Sequence, residues 1–129
     1  MTPLHTRYRI GMPSLLECPT LEDNVRLAQE LGLSFIELNL DLPIFTPERL
    51  PAAKLRQLRE DTGLFFTVHL PENLDFASCH PAIREGNVER CLELIDWAHE
   101  AGIERLNMHL HNGIYFTLPN EKVWIHERY

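Results

Sequence analysis

The stretch LFFTVHL, residues 64–70, decides the fold because its two faces differ in character. Successive side chains of a β-strand point to opposite faces. One face of this strand is wholly apolar and consists of Phe66, Val68 and Leu70. The other face becomes polar toward the carboxyl end, where His69 follows Thr67. The stretch therefore predicts a strand that packs on one side and presents a histidine at its end.

Two further segments repeat this alternation. Residues 34–41 have an apolar face of Ile36, Leu38 and Leu40 and a polar face of Glu37, Asn39 and Asp41. Residues 105–111 have an apolar face of Leu106, Met108 and Leu110 and a polar face of Asn107, His109 and His111. Another apolar run, at about residues 8–12, predicts the first strand of the series.

Amphipathic helices are predicted between these strands. Three charged stretches end in a glycine followed by an apolar residue, at Gly32, Gly63 and Gly102. The first helix is predicted to start at Thr20, the second at about Thr46–Pro47 or at Pro51, and the third spans about 82–101. The residues predicted to face the core are Leu21, Val25, Ala28 and Leu31, then Leu55 and Leu58, and in the third helix Val88, Cys91, Leu92, Ile95 and Ala98.

The order of strands and helices predicts an α/β fold with a parallel sheet and right-handed crossovers. A parallel sheet covered by helices on both sides is apolar on both faces, and these strands are not. In a TIM barrel the inner face becomes polar at the C-terminal mouth. We therefore expect a partial (β/α)8 TIM barrel of about four βα units. A β-hairpin is predicted at about residues 114–126, either as a lid over the mouth or as a packing element.

Length and composition narrow the function classes. The chain has 129 residues, about half of the ~250 of a closed barrel, so we expect a single domain forming the N-terminal half of one. A net charge of -7 with dispersed basic residues argues against a nucleic-acid partner. The three cysteines lack C-x-x-C spacing, and no apolar run reaches the ~18 residues of a membrane span. A cytoplasmic protein without a membrane partner is expected.

The polar faces converge at one edge of the predicted sheet, because the carboxyl ends of parallel strands lie together. Glu37, His69, His109 and His111 would meet there. Imidazole and carboxylate groups suit a divalent metal ion, and they also hydrogen-bond sugar hydroxyls or transfer protons. The alternative is that these side chains only face solvent on an incomplete sheet. The polar residues that follow His69 could line the same mouth, and they are Glu72, Asn73 and Asp75.

Three segments resemble the N-terminal half of the xylose isomerase-like TIM barrel superfamily. This superfamily includes sugar and sugar-phosphate isomerases and epimerases and the endonuclease IV type of abasic-site nuclease. The segments are GLSFIEL at residues 32–38, FTVHLP at 66–71 and LNMHL at 106–110. The usual His-Pro-Gly of strand four is here His-Leu-His-Asn-Gly, so the register between His109 and His111 stays open.

The resemblance implies roles for individual residues. His69 and His109 match histidines that bind metal in the nuclease-like branch and contact substrate in the epimerase-like branch, and His111 is a further candidate metal ligand. Glu37 matches a strand-two glutamate near the substrate and is the candidate catalytic residue. Asn39 and Asn107 are assigned to substrate binding. The implied ion is Mn, Zn, Co or Mg, and the other ligands of the family come from strands five to eight.

The expected function is that of a sugar or sugar-phosphate isomerase or epimerase, with metal-assisted proton transfer at a carbohydrate carbon. Two alternatives stay open: an endonuclease IV-like metal-dependent phosphodiesterase, and a non-catalytic half-barrel that acts as a binding or assembly module. Four parallel strands leave open edges. We therefore expect the missing barrel half, a second copy or a partner chain to complete the barrel.

Overall fold

Strands and helices alternate through the computed structural model, which describes residues 8–110 and 113–128. The strands of the main sheet are β1 (Gly11–Pro13), β2 (Phe35–Asn39), β3 (Phe65–His69) and β4 (Leu106–Asn107). The helices between them are α1 (Leu21–Glu30), α2 (Ala52–Thr62) and α3 (Pro81–Glu100), and a 3-10 turn covers Pro43–Phe45. The chain continues into β5 (Tyr115–Thr117), β6 (Lys122–Trp124) and the short helix α4 (Ile125–Arg128).

The main strands form one parallel sheet in the order β1-β2-β3-β4. Its register aligns the polar residues in rows across the sheet: Glu37 pairs with Thr67, Asn39 pairs with His69, and His69 pairs with Asn107. Because side chains alternate along each strand, paired residues point to the same face. The sheet and its polar face confirm the predicted α/β class and the partial TIM barrel.

The opposite face of the sheet packs against the helices. Its buried residues are Ile36, Leu38, Leu40, Phe66, Val68 and Leu70. The helices contribute Leu21, Val25 and Ala28 from α1, Leu55 from α2, and Leu94, Trp97 and Ala98 from α3. Full burial of a Val, Leu, Ile or Phe side chain contributes roughly 1.5–3 kcal/mol. The apolar core therefore lies on one side of the sheet, and the other side carries the polar rows.

Local sequence signals set the ends of the helices. Thr20 caps α1 as predicted, because its Oγ1 accepts a hydrogen bond from the backbone N–H of Asp23 at 3.1 Å. Pro51 directly precedes α2, and Pro81 occupies the first turn of α3, where a missing N–H costs nothing. Gly63 ends α2 with a φ of 73°, a left-handed conformation that glycine adopts without strain.

The side of α3 that packs against the sheet differs from the side that the sequence predicts to face the core. The predicted residues that are exposed instead are Val88, Leu92 and Ile95. Leu94 and Trp97 are buried in their place, together with the predicted Ala98, while Cys91 is half-buried. The indole ring buries a large area and needs a partner for its N–H. Trp97 Nε1 donates to the carbonyl oxygen of Leu50 at 2.9 Å, so this side of α3 faces the core.

Several predicted segments differ in extent from the observed ones. β4 has two residues rather than about 105–111, because among the described residues it pairs only with β3. Beyond it Met108 is exposed and Leu110 is 76% exposed, although both were predicted on the apolar face. β1 starts and ends later in the chain than the predicted segment of about residues 8–12. Leu31, predicted to be buried, is 62% exposed because it lies past the last turn of α1.

Strands β5 and β6 form the antiparallel hairpin that the sequence predicts. Tyr115 pairs with Trp124, and their ring centroids are 4.9 Å apart. The N–H of Leu118 donates to the carbonyl oxygen of Glu121 at 2.8 Å and closes the loop. The last part of the predicted hairpin is instead the short helix α4. Within residues 8–110 and 113–128, no helix has the length and apolar character needed to cross a membrane.

Candidate functional site

Two histidines meet at the carboxyl end of the sheet. His69 is the last residue of β3, and His109 follows β4. Their Nε2 atoms are 3.2 Å apart, and their ring centroids are 4.9 Å apart. His69 Nδ1 lies 2.9 Å from the carbonyl oxygen of Leu70. Because a carbonyl oxygen only accepts hydrogen bonds, this contact places a proton on Nδ1, and Nε2 is the ring nitrogen that faces His109.

A carboxylate joins the two histidines from the loop after β3. His69, Glu72 and His109 each offer one ligand atom, and these atoms lie within 4.8 Å of one another. From the sequence, Glu72 is only one of several polar residues near the mouth. A further ligand is predicted instead at His111, which lies outside the described residues. The sequence signal that could identify Glu72 as part of the cluster is its position shortly after His69, in the loop that follows β3.

Glu37 and Asn107 form a second polar contact on the same face of the sheet. Asn107 Nδ2 donates to Glu37 Oε1 across the intervening strand β3. Thr67, which pairs with Glu37, is 7% exposed, and its Oγ1 has no hydrogen-bond partner in the described part of the chain. Asn107 thus holds the Glu37 carboxylate in one orientation through Oε1.

Asn39, which the sequence assigns to substrate binding, makes two hydrogen bonds within the chain. Its Oδ1 accepts a hydrogen bond from the backbone N–H of Asp41 at 2.8 Å. Its own backbone N–H donates to Oγ of Ser14 at 3.0 Å. The side-chain oxygen of Asn39 therefore holds the turn after β2. The structure brings the other described site residues into two groups: the first is His69 with Glu72 and His109, and the second is Glu37 with Asn107.

The polar face contains an open depression of about 410 Å³, whose lining includes Glu37, Thr67, Arg105 and Asn107. A larger cleft, of about 500 Å³, lies at the opposite end of the strands and is lined in part by Arg9, Arg59 and Arg105. The helices end beside that cleft, and Arg59 Nη1 donates to the carbonyl oxygen of Gly102 at 2.9 Å. An arginine in this position stabilises a helix C-terminus, so the larger cleft is not the stronger site candidate.

The donor set of the histidine cluster fits the divalent ion that the sequence predicts. A catalytic zinc site commonly has three protein ligands and a fourth open position, and Zn²⁺ binds both imidazole nitrogen and carboxylate oxygen. Two imidazoles favour Zn²⁺ or Co²⁺ over Mg²⁺, which prefers oxygen ligands. A metal-binding histidine usually donates its other ring N–H to a carbonyl or a carboxylate. His69 makes this contact with Leu70.

The fold agrees with a known family. A family model for xylose isomerase-like TIM barrels matches residues 25–127. The chain belongs to this family. The matched part runs from α1 past the hairpin and includes His69, Glu72 and His109. No curated protein matches the chain.

Solved structures share the fold over part of their length. An L-ribulose 3-epimerase matches with a TM-score of 0.65 at 19% identity, over 78% of this chain and 35% of that one. D-Psicose 3-epimerase from Clostridium cellulolyticum, solved with D-tagatose, matches with a TM-score of 0.63 at 12% identity, over 90% and 42%. A protein from Thermus thermophilus, soaked with ZnCl2, matches with a TM-score of 0.56 at 30% identity, over 78% and 38%. The chain spans less than half of each structure.

Proposed function

We propose that the chain carries part of the active site of a sugar or sugar-phosphate isomerase or epimerase. The observation that carries this proposal is the cluster of His69, Glu72 and His109 on the polar face that also holds Glu37. The likeness to the L-ribulose and D-psicose 3-epimerase structures supports a ketose as substrate. The reaction is proton transfer at a carbon next to the sugar carbonyl.

The proposed metal ligands are His69, Glu72 and His109. When bound there, a divalent ion would polarise the oxygens of the sugar as a Lewis acid. The two imidazole nitrogens favour Zn²⁺ or Co²⁺, and the carboxylate oxygen also suits Mn²⁺. The ZnCl2-soaked Thermus thermophilus protein, 30% identical to this chain, supports zinc as the first ion to test.

Glu37 is the proposed general base. Its Oε2 accepts the proton from the carbon next to the carbonyl, and the electron pair of that C–H bond moves toward the carbonyl oxygen. Asn107 holds Oε1, so the carboxylate keeps one orientation during the transfer. Return of a proton to the opposite face of the same carbon, from a second acid that lies outside the described residues, gives the epimer. Delivery of the proton by Glu37 to the former carbonyl carbon, with transfer of the proton of the neighbouring hydroxyl group to the former carbonyl oxygen, gives the isomer. A positioned base of this kind contributes about 10²–10⁴-fold to the rate.

Chromatographic assay of D-psicose, D-tagatose and L-ribulose conversion tests the proposal, with Zn²⁺, Co²⁺ or Mn²⁺ added and with EDTA as the metal-free condition. We expect metal-dependent conversion that falls about 10²–10⁴-fold in Glu37→Gln. The matched control is Glu60→Gln, because Glu60 is an exposed carboxylate on α2. Equal rates for Glu37→Gln and the wild type would exclude Glu37 as the base. Metal binding without turnover of any of these ketoses would contradict the proposed reaction.

A second candidate function is a non-catalytic half-barrel that binds a partner. Within the described residues β1 and β4 each pair on one side only, and unpaired strand edges promote association. Light scattering and metal analysis of one sample separate the candidates: a metal-free dimer or hetero-complex favours the module, and a metal-loaded protein favours the enzyme. The endonuclease IV-like alternative uses the same histidines, but a net charge of -7 disfavours a DNA partner. Cleavage of abasic DNA at low salt would support it.

A further inference from the structure

Glu72 reaches the histidine cluster on a loop that Asp41 holds in place. The backbone N–H of Glu72 lies 3.1 Å from Oδ1 and 3.3 Å from Oδ2 of Asp41, so both carboxylate oxygens share one donor. The two residues are 31 positions apart in the sequence and come from different strand ends. Asp41 follows β2, and Glu72 follows β3. The contact therefore ties the loop that carries Glu72 to the neighbouring strand.

Asp41 is itself held by the end of β2. Its backbone N–H donates to Oδ1 of Asn39 at 2.8 Å, and the N–H of Asn39 donates to Oγ of Ser14 at 3.0 Å. The N–H of Leu40 donates to the carbonyl oxygen of His69 at 3.0 Å. These bonds run from β1 across β2 to β3. Asp41 thus links a rigid part of the sheet to the backbone of Glu72.

The backbone of Glu72 determines where its carboxylate lies relative to His69 and His109. A loop residue without a tertiary contact samples several backbone conformations, and each moves its side chain. A hydrogen bond from an N–H to a carboxylate is stronger than one to a neutral oxygen. Groups that orient metal ligands without touching the ion typically change metal affinity about 10–100-fold when they are removed.

We propose that Asp41 is a positioning residue of the metal site, which fixes the backbone of Glu72 so that its carboxylate completes the donor set of His69 and His109. This inference rests on the proposed metal site. It gives Asn39 an indirect role as well, because Asn39 orients Asp41. The two asparagines predicted to bind substrate would then have different tasks: Asn107 holds Glu37, and Asn39 supports the ligand loop.

Zn²⁺ affinity of the folded chain, measured by competition with a chromophoric chelator, tests the proposal. We expect Asp41→Ala to bind Zn²⁺ about 10–100-fold more weakly than the wild type. Asp41→Asn should bind more tightly than Asp41→Ala, because the asparagine oxygen can still accept from the N–H of Glu72. The matched control is Asp75→Ala. Asp75 Oδ1 accepts from the backbone N–H of Ala77 at 2.9 Å further along the same loop.

A double-mutant cycle distinguishes positioning from a general loosening of the fold. If Asp41 acts through Glu72, then Asp41→Ala adds no further loss to Glu72→Ala. The Co²⁺ absorption spectra of the two single variants should then also change in the same direction, since both variants weaken coordination by the same carboxylate. Additive losses, or equal losses in Asp75→Ala, would overturn the inference. Wild-type affinity in Asp41→Ala would overturn it while leaving the metal site intact, whereas a wild-type chain that binds no Zn²⁺ would remove both proposals.

Discussion

Replacement of Leu94 by alanine is expected to destabilise the fold, while the same replacement at Leu92 leaves it nearly unchanged. Leu94 is 0% exposed on the sheet side of α3, and Leu92 is 57% exposed on the other side. Removal of a buried leucine side chain loses its transfer free energy and leaves a cavity, at a cost of about 2–5 kcal/mol. A surface substitution typically changes the free energy of unfolding by less than about 0.5 kcal/mol. Both variants gain the same helix propensity, so the difference between them measures burial.

Urea unfolding followed by circular dichroism measures both variants. Small domains unfold with a slope of about 1–3 kcal/mol per M urea, so a loss of about 2 kcal/mol at a slope near 2 lowers the midpoint by about 1 M. Leu94→Ala should show at least this shift, and Leu92→Ala should stay close to the wild type. Equal losses in both variants would refute the orientation of α3. They would show that the side of α3 with Val88, Leu92 and Ile95 is buried in solution.

Metal binding, acid stability and one buried hydrogen bond give the remaining predictions. His109→Ala should weaken Zn²⁺ binding more strongly than the loss of an orienting contact, which costs about 10–100-fold in affinity. Unchanged affinity in a calorimetric titration would exclude His109 as a ligand. The hydrogen bond from Arg90 lowers the pKa of Glu48 to about 2 from 4.5. A carboxylate whose pKa is lower in the folded than in the unfolded state stabilises the fold above pH 4.5. This stabilisation is lost as the pH falls from 4.5 toward 2. Because Glu48 is exposed, the effect stays below about 1 kcal/mol, and Glu48→Gln should remove that part of the acid dependence of the urea midpoint. Trp97→Phe leaves the carbonyl of Leu50 without its donor and should cost about 1–3 kcal/mol, so a wild-type midpoint would contradict this contact.

The sheet and the two histidines could be predicted from the sequence because their signals are local. In β3 every second residue is apolar, and Phe66 and Val68 are buried where this alternation places them. Once a strand exists, its period of two assigns each side chain to a face. The same rule places His69 on the polar face, and His109 follows β4 at the neighbouring strand end. Their approach to 3.2 Å follows from the parallel order of β3 and β4.

The orientation of α3 and the position of Glu72 beside the histidines could not be predicted, because each depends on contacts between distant residues. Helix α3 has two apolar sides, and periodicity alone does not choose between them. The choice coincides with the hydrogen bond from Trp97 to Leu50, 47 residues away. Glu72 approaches the histidines because Asp41, 31 residues earlier, holds its backbone. Neither contact produces a periodic pattern in the sequence.

The pairing of β4 affects how well the backbone of His109 is fixed. His69 belongs to a strand with neighbours on both sides, and the N–H of Leu70 donates to the carbonyl oxygen of Asn107 at 2.9 Å. His109 lies past the last paired residue of β4, whose outer edge has no partner strand among the described residues. A further strand on that edge would restrict the backbone of His109, and a preorganised ligand binds more tightly. Coupling between two binding events is reciprocal. If a strand from another part of a barrel increases the affinity for the metal, the bound metal should increase the affinity for that strand by the same factor.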